Sequence, residues 1–237
     1  MDMVLILYIT QTSVKRMLKA ILWDNDGVLV DTEHLYFQAC REVLLRYNIV
    51  LDEDSFIDSF LRKSEGLIAL LGKRDLCEKL EDAQQWRDLR YTELLSRDVI
   101  PIEGVKDTLT VLQPQVQMGI VTSSKKAHFD SIHSQTELLN FFDFVLARED
   151  YLKSKPDPEP YLEAMKQNCL KPEECIVVED SPRGLKAAKA AGLRCVVIPR
   201  GLTCGLNFVG AWKQVNRVTD IIPIVESLQK GKNLNET

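Results

Sequence analysis

The chain has 237 residues, 45% apolar and 27% charged, with a formal net charge of −5. That length suits one good-sized domain or a core domain plus a small insert, and the balance is ordinary for a globular protein. No run of Lys or Arg stands out, which argues against nucleic acid as a partner and in favour of a small molecule.

Residues 1–16 hold one apolar run, Val4 to Ile9, too short to span a bilayer. It follows Asp2 rather than a basic segment, and no small-residue cleavage site comes after it, so neither a membrane span nor a signal peptide is expected. These residues read as a packed extension or as the product of an over-extended start site, with Met17 opening the first convincing strand.

Short apolar runs rich in branched residues then predict buried parallel strands over Leu18–Trp23, Gln117–Thr122, Phe144–Ala147, Cys175–Glu179 and Cys195–Ile198. Between the first two, the stretch from Glu33 to Asp98 reads as helix throughout, with apolar positions at Leu35, Ala39 and Val43 and at Phe37, Cys40 and Leu44. A turn at Pro101-Ile102-Glu103-Gly104 closes it, which suggests a separate helical cap over residues 33–100. Asp157-Pro158 predicts a helix from Glu159 to Asn168, and Ser181-Pro182 predicts one over Leu185–Ala191 that stops at Gly192. The expected fold class is therefore α/β, a doubly wound and mainly parallel sheet in residues 17–32 and 101–237, with the cap inserted after the first strand. The polar tail from Lys230 reads as frayed.

The cysteines Cys40, Cys77, Cys169, Cys175, Cys195 and Cys204 form no CxxC pair, and three of them sit in apolar patterned segments. A disulfide framework or zinc site is not expected; reduced, mostly buried thiols and a cytoplasmic setting are.

The chemistry concentrates at strand ends. The first strand runs into Asp24-Asn25-Asp26-Gly27, which leaves carboxylates at its carboxyl end, where open α/β sheets bind ligands. Asp24 is placed to attack and Asp26 to act as general acid and base, while Gly27 lets the chain turn sharply. By itself this run could equally be a turn or a calcium loop. The second strand ends at Thr122-Ser123-Ser124, where hydroxyls and amides can hold phosphate oxygens, although either serine could instead cap the next helix. Lys155 stands in Lys155-Pro156-Asp157-Pro158, where its ammonium can neutralise a nucleophile and a phosphoryl group. The fourth strand ends at Glu179-Asp180, a carboxylate pair suited to Mg²⁺.

These four motifs, in this order and on these strand ends, resemble the haloacid dehalogenase-like hydrolases, in the branch of phosphoglycolate phosphatases and β-phosphoglucomutases. The resemblance runs from about Met17 to Ile198. It implies Asp24 as nucleophile and Asp26 as acid/base, with Asn25, Thr122, Ser123 and Lys155 around the phosphoryl group. It implies Mg²⁺ held by Asp24, the carbonyl of Asp26 and Asp180, with Glu179 in support or ligating. The dehalogenases proper lack the second aspartate, so Asp26 points to phosphate chemistry. Where relatives carry a glycine and then a basic residue in the cap, Arg62 and Lys63 stand here, and Lys63 is the candidate substrate contact. Mutases of the branch carry a histidine where Tyr36 stands, which favours hydrolysis.

The resulting expectation is a Mg²⁺-dependent phosphatase for a small phosphate monoester, working through an aspartyl-phosphate as a monomer or small homo-oligomer, with no nucleic-acid or membrane partner. A phosphomutase on the same scaffold and a phospho-ligand-binding module without turnover are the alternatives. His34, His128 and His133 have no metal spacing and read as surface or satisfied residues. Trp23 reads as core packing, and Arg62 as a solvated charge.

Overall fold

The computed structural model describes residues 18–63, 65–97 and 99–230. The expectations for residues 1–16 and for the tail beyond Lys230 lie outside the described residues. Among the described residues six parallel strands form one sheet in the order β3-β2-β1-β4-β5-β6. They are β1 (Ala20–Trp23), β2 (Gln117–Val121), β3 (Phe144–Leu146), β4 (Cys175–Glu179), β5 (Arg194–Val197) and β6 (Lys213–Gln214). The five apolar runs are all strands. The sixth, two residues of Lys and Gln, pairs with β5 through Val196 and Val197 and has no apolar pattern to announce it.

Both faces of the sheet are covered, and alternate residues explain how. Ile21, Trp23, Met118, Ile120, Ile176 and Val178 face a layer formed by α5 (Val105–Leu112), α6 (Lys126–His133) and α9 (Ile221–Gln229). Their neighbours Ala20, Leu22, Val121, Val177 and Cys195 face α7 (Glu159–Gln167) and α8 (Pro182–Ala190). The period of two along each strand divides one continuous apolar run between two cores. Ser181 caps α8 by accepting the Gly184 amide at 3.2 Å, and the chain turns out at Gly192, φ 77°. Asp157 acts similarly before α7, its carboxylate accepting the Glu159 amide at 3.0 Å.

Between residues 33 and 95 every regular element among the described residues is helical. These are α1 (Glu33–Leu45), α2 (Glu53–Phe56), a π-helical stretch (Ile57–Arg62), α3 (Gly66–Gly72), a short 3₁₀ turn (Cys77–Lys79) and α4 (Leu80–Leu95). The insertion has its own apolar cluster, built on Cys40, Leu44, Phe56, Phe60, Leu67 and Leu71. Its outgoing and returning chains run side by side: the Asp31 amide donates to the Ile100 carbonyl at 3.1 Å, and the Ile102 amide donates to the Leu29 carbonyl at 3.0 Å. Leu35 and Ala39 of α1 and Tyr91, Leu94 and Leu95 of α4 also join the cluster beneath the sheet, so the root of the insertion packs as part of the core.

All six cysteines are free; Cys40, Cys175 and Cys195 are buried, while Cys77, Cys169 and Cys204 are exposed. The expectation of mostly buried thiols thus holds for three of them, those inside apolar segments. Among the described residues no helix is long and apolar enough to cross a membrane.

Candidate active site

The order of the strands fixes where the site lies. After β1 the chain winds one way through β2 and β3, then returns to β4 beside β1 and winds the other way. The crevice at that reversal opens at the carboxyl ends of the strands. Asp24 follows β1, Thr122 follows β2, and Glu179 and Asp180 end and follow β4, so parallel pairing brings them together.

The nucleophile candidate is tightly held. The Asp24 amide donates to the Val178 carbonyl at 2.9 Å. Lys155 Nζ, 2% exposed, donates to Asp24 Oδ1 at 2.8 Å, Glu179 Oε1 at 2.7 Å and the Val121 carbonyl at 2.8 Å. An ammonium has three protons, and all three are used. Burial disfavours the Lys155 charge, but Asp24 and Glu179 outweigh it and hold the group above the usual lysine range.

Glu179 is fully buried and equally committed. Its Oε1 also accepts the Tyr161 hydroxyl at 2.8 Å, and its Oε2 accepts the Asp180 and Ser181 amides and the Ser181 hydroxyl. Burial pushes its carboxyl up, but Lys155 prevails and keeps it below the ordinary range. Asp24 and Asp180 behave oppositely. Burial, then the charge of Glu179, raise Asp24 to about 7 despite Lys155. Burial, then Glu33, Asp24 and Glu179, raise Asp180 well above its usual value.

Asp24, Glu179 and Asp180 each offer an oxygen, all within 4.8 Å of one another, the arrangement of a metal centre among the described residues. Three hard oxygen donors crowded in low dielectric suit a hard divalent cation and leave Asp24 and Asp180 short of positive charge. Gly27 makes room for this: a Cβ there would fall 2.0 Å from Asp180 Oδ2, and its φ is +79°. The cluster could therefore hold a metal ion, with Asp24 and Asp180 the groups less committed to other partners.

Asp26 is turned toward the rim. Its Oδ1 accepts the Thr32 hydroxyl at 2.5 Å and the Tyr91 hydroxyl at 3.4 Å, and its Oδ2 accepts Ser124 at 2.6 Å. Thr122 is fully buried and lies behind this carboxylate, donating weakly to Oδ2 at 3.4 Å while accepting the Ser124 amide at 3.0 Å. Ser123 lines the cleft. The Asn25 side chain points into the core instead, against His133. Lys63 stands apart: it is exposed, pairs with Asp58 at 2.6 Å and is not among the residues lining the cleft.

The cleft has a volume of about 280 Å³ and is walled on the insertion side by Tyr36, Phe56, Phe60, Arg87, Asp88 and Tyr91. Lys125 and Arg183 line it from the sheet side. Asp88 spans the mouth, its carboxylate accepting Lys125 at 2.6 Å and Arg87 at 2.6 Å, while Arg87 also donates to the Tyr36 hydroxyl at 2.9 Å. Of these residues only Tyr36 was singled out from the sequence; Arg87, Asp88, Tyr91, Lys125 and Arg183 were not. The available signal was spacing: Arg87, Asp88 and Tyr91 stand at i, i+1 and i+4 of one helix, a polar patch on a face that also carries buried Leu94 and Leu95.

The family model described as haloacid dehalogenase-like hydrolase matches residues 21–198. The chain is 30% identical over 182 residues to the phosphorylated carbohydrates phosphatase of Thermotoga maritima, covering 74% of this chain and 82% of that one. It is 29% identical over 189 residues to the validoxylamine A 7′-phosphate phosphatase of Streptomyces hygroscopicus subsp. limoneus, covering 76% and 85%. The fold is shared with CbbY from Rhodobacter sphaeroides, a point mutant crystallised in complex with xylulose-(1,5)bisphosphate, at a TM-score of 0.72 and 24% identity, over 86% of this chain and 96% of that one. The chain belongs to the haloacid dehalogenase-like hydrolases, in a branch that includes phosphatases of phosphorylated carbohydrates.

Proposed function

We propose that this phosphatase hydrolyses a small phosphate monoester, a sugar phosphate or a similar metabolite, through an aspartyl-phosphate on Asp24 and with Mg²⁺. The observation that carries the reading is Asp24 itself: a carboxylate at the carboxyl end of the central strand, fixed on one oxygen by Lys155 and facing Asp180. The size of the cleft supports a small substrate, since about 280 Å³ lies near the lower end of ligand pockets.

In this reading the free oxygen of Asp24 forms a bond to phosphorus while the ester P–O bond breaks. Asp26 gives its proton to the departing alkoxide, then takes one from the water that cleaves the acyl-phosphate and releases inorganic phosphate. Lys155 keeps Asp24 aimed and offsets charge on the phosphoryl oxygens, and Ser123 offers a hydroxyl at the cleft wall. Asp24, Asp180 and the carbonyl of Asp26 would hold Mg²⁺. The ion would supply the positive charge that keeps both aspartates ionised and offsets the charge of the phosphoryl group. Glu179 supports from behind, since both its oxygens are already engaged with Lys155, Tyr161 and the Ser181 turn.

The helical insertion serves as a cap that shields the first displacement from bulk water and shapes the substrate pocket. Tyr36 favours hydrolysis over mutase chemistry. Burial pushes its hydroxyl above the usual range and Arg87 holds its oxygen, so it is no proton shuttle. The free cysteines support a cytoplasmic setting. Phosphate release from a panel of sugar phosphates, with Mg²⁺ and with EDTA, tests the proposal. Magnesium-dependent release from one or a few members supports it, and no release from any member by folded protein overturns it.

A further inference from the structure

Asn25 stands between Asp24 and Asp26, and its side chain is fully buried. Its Oδ1 lies 2.8 Å from Nε2 of His133, at the end of α6, and His133 Nδ1 lies 2.9 Å from Thr136 Oγ1. On its other side Asn25 Nδ2 lies 3.3 Å from Asp26 Oδ2. Four side chains thus form a continuous path from the back of the core to the acid/base carboxylate. The Asn25 main chain organises the same loop, its carbonyl accepting Leu29 at 2.8 Å, Val30 at 3.2 Å and Val28 at 3.3 Å.

The direction of every bond on this path follows from its end. Toward the ionised form of Asp26, which only accepts, Asn25 presents its NH₂, and it turns its oxygen to His133. His133 Nε2 must then carry the ring proton, which leaves Nδ1 to accept the Thr136 hydroxyl. The ring is 6% exposed and packs against Phe129, with centroids 4.4 Å apart. Burial lowers its pKa to about 4, against the opposing charges of Asp26 and Asp130, so the ring stays neutral. With Asp26 ionised, every group on the path is satisfied in this arrangement.

We propose that His133 is a positioning residue for Asp26, acting through Asn25. Its Nε2–H fixes the Asn25 amide, and that amide donates to Asp26 Oδ2 from the side opposite Thr32. Without the imidazole donor, the buried Asn25 oxygen loses its partner and the amide is free to rotate. Rotation would set that oxygen against the Asp26 carboxylate, a repulsive contact where there was a hydrogen bond. The inference rests on the reading of Asp26 as the acid/base of a phosphatase.

The test has two parts on the full-length protein. Nitrogen-15 NMR of labelled histidine reads the ring directly: at pH 7 His133 is neutral and protonated on Nε2. A ring protonated on Nδ1, or doubly protonated, overturns the proposal whatever the substrate. In steady-state kinetics, His133→Leu lowers kcat about tenfold or more while KM stays within about twofold. His133→Gln places an amide N–H near the position of Nε2 and restores most of kcat. Folded His133→Leu with the kcat of wild type overturns the proposal, as does a Gln variant no better than Leu. If His133→Leu does not fold, the NMR result decides. If wild type with Mg²⁺ turns over no sugar phosphate, the phosphatase reading fails, and with it the catalytic role of the path; the ring state then shows whether the path itself exists.

Discussion

Lys155 Nζ lies 2.8 Å from Asp24 Oδ1, and both side chains are almost removed from solvent. The same ammonium holds Glu179 at 2.7 Å, so one buried cation balances two carboxylates. Removing it leaves both uncompensated, which is strongly destabilising for a buried pair. Lys155→Met should therefore lower unfolding stability by about 3–5 kcal/mol and reduce kcat by at least about 100-fold. Guanidinium unfolding and phosphate release measure the two effects; wild-type values in both would contradict the arrangement.

Gly27 tests the carboxylate cluster without touching a charge. A Cβ at this position meets Asp180 Oδ2 at 2.0 Å, whereas at Gly201, φ +50°, it meets nothing within 4 Å. Both substitutions by alanine cost about 1 kcal/mol for the left-handed backbone. Only Gly27→Ala should also displace Asp180, raise the Mg²⁺ requirement and depress kcat. A magnesium titration of the two variants separates them, and equal metal requirements would remove the cluster from the mechanism.

His133 gives stability a pH dependence of definite sign. Burial holds its folded pKa near 4, below the unfolded value of about 6.5, so at mildly acid pH the unfolded chain binds a proton that the folded chain does not. Its contribution is complete above pH 6.5 and is lost as pH falls toward 4, up to about 3 kcal/mol. Comparing Tm of wild type and His133→Gln between pH 7.5 and 4.5 should show wild type falling more steeply. Parallel curves would contradict this.

At the mouth, Asp88 neutralises Lys125 and Arg87 while joining the insertion to the sheet side of the cleft. The Lys125 pair is half open to water, so it contributes little to stability, about 1 kcal/mol or less. Asp88→Ala should lower Tm, because it leaves the largely buried Arg87 charge without its carboxylate, and should free two cations toward the cleft, tightening competitive inhibition by inorganic phosphate about fivefold at low salt. An unchanged inhibition constant would show that this cation pair does not face the ligand.

The parallel sheet was legible because buried strands leave continuous branched runs such as Cys175–Glu179, and because β1, β2 and β4 have a polar group at or just past the carboxyl end. β6 was hidden because Lys213 and Gln214 take their strand conformation from pairing with β5 rather than from any pattern of their own. Placement of Asp24, Glu179 and Asp180 followed from strand order alone. The posture of Asp26, facing Thr32 and Ser124, did not, since it depends on side-chain rotamers. His133 read as a surface or satisfied histidine, and it is buried and satisfied; its partner 108 positions away was unreadable because α6 and the β1 loop meet through the packed core. Lys63 was placed by its motif position, and its pairing with Asp58 across one turn of the insertion is a local choice that no motif records.

The central claim is that Asp24 carries the phosphoryl group. The most direct measurement compares phosphate release by wild type and Asp24→Asn, each shown to be folded, on the preferred sugar phosphate with Mg²⁺ and with EDTA. The account predicts release by wild type with Mg²⁺ only, and none by the variant in either condition. Release by Asp24→Asn at the wild-type rate would contradict it.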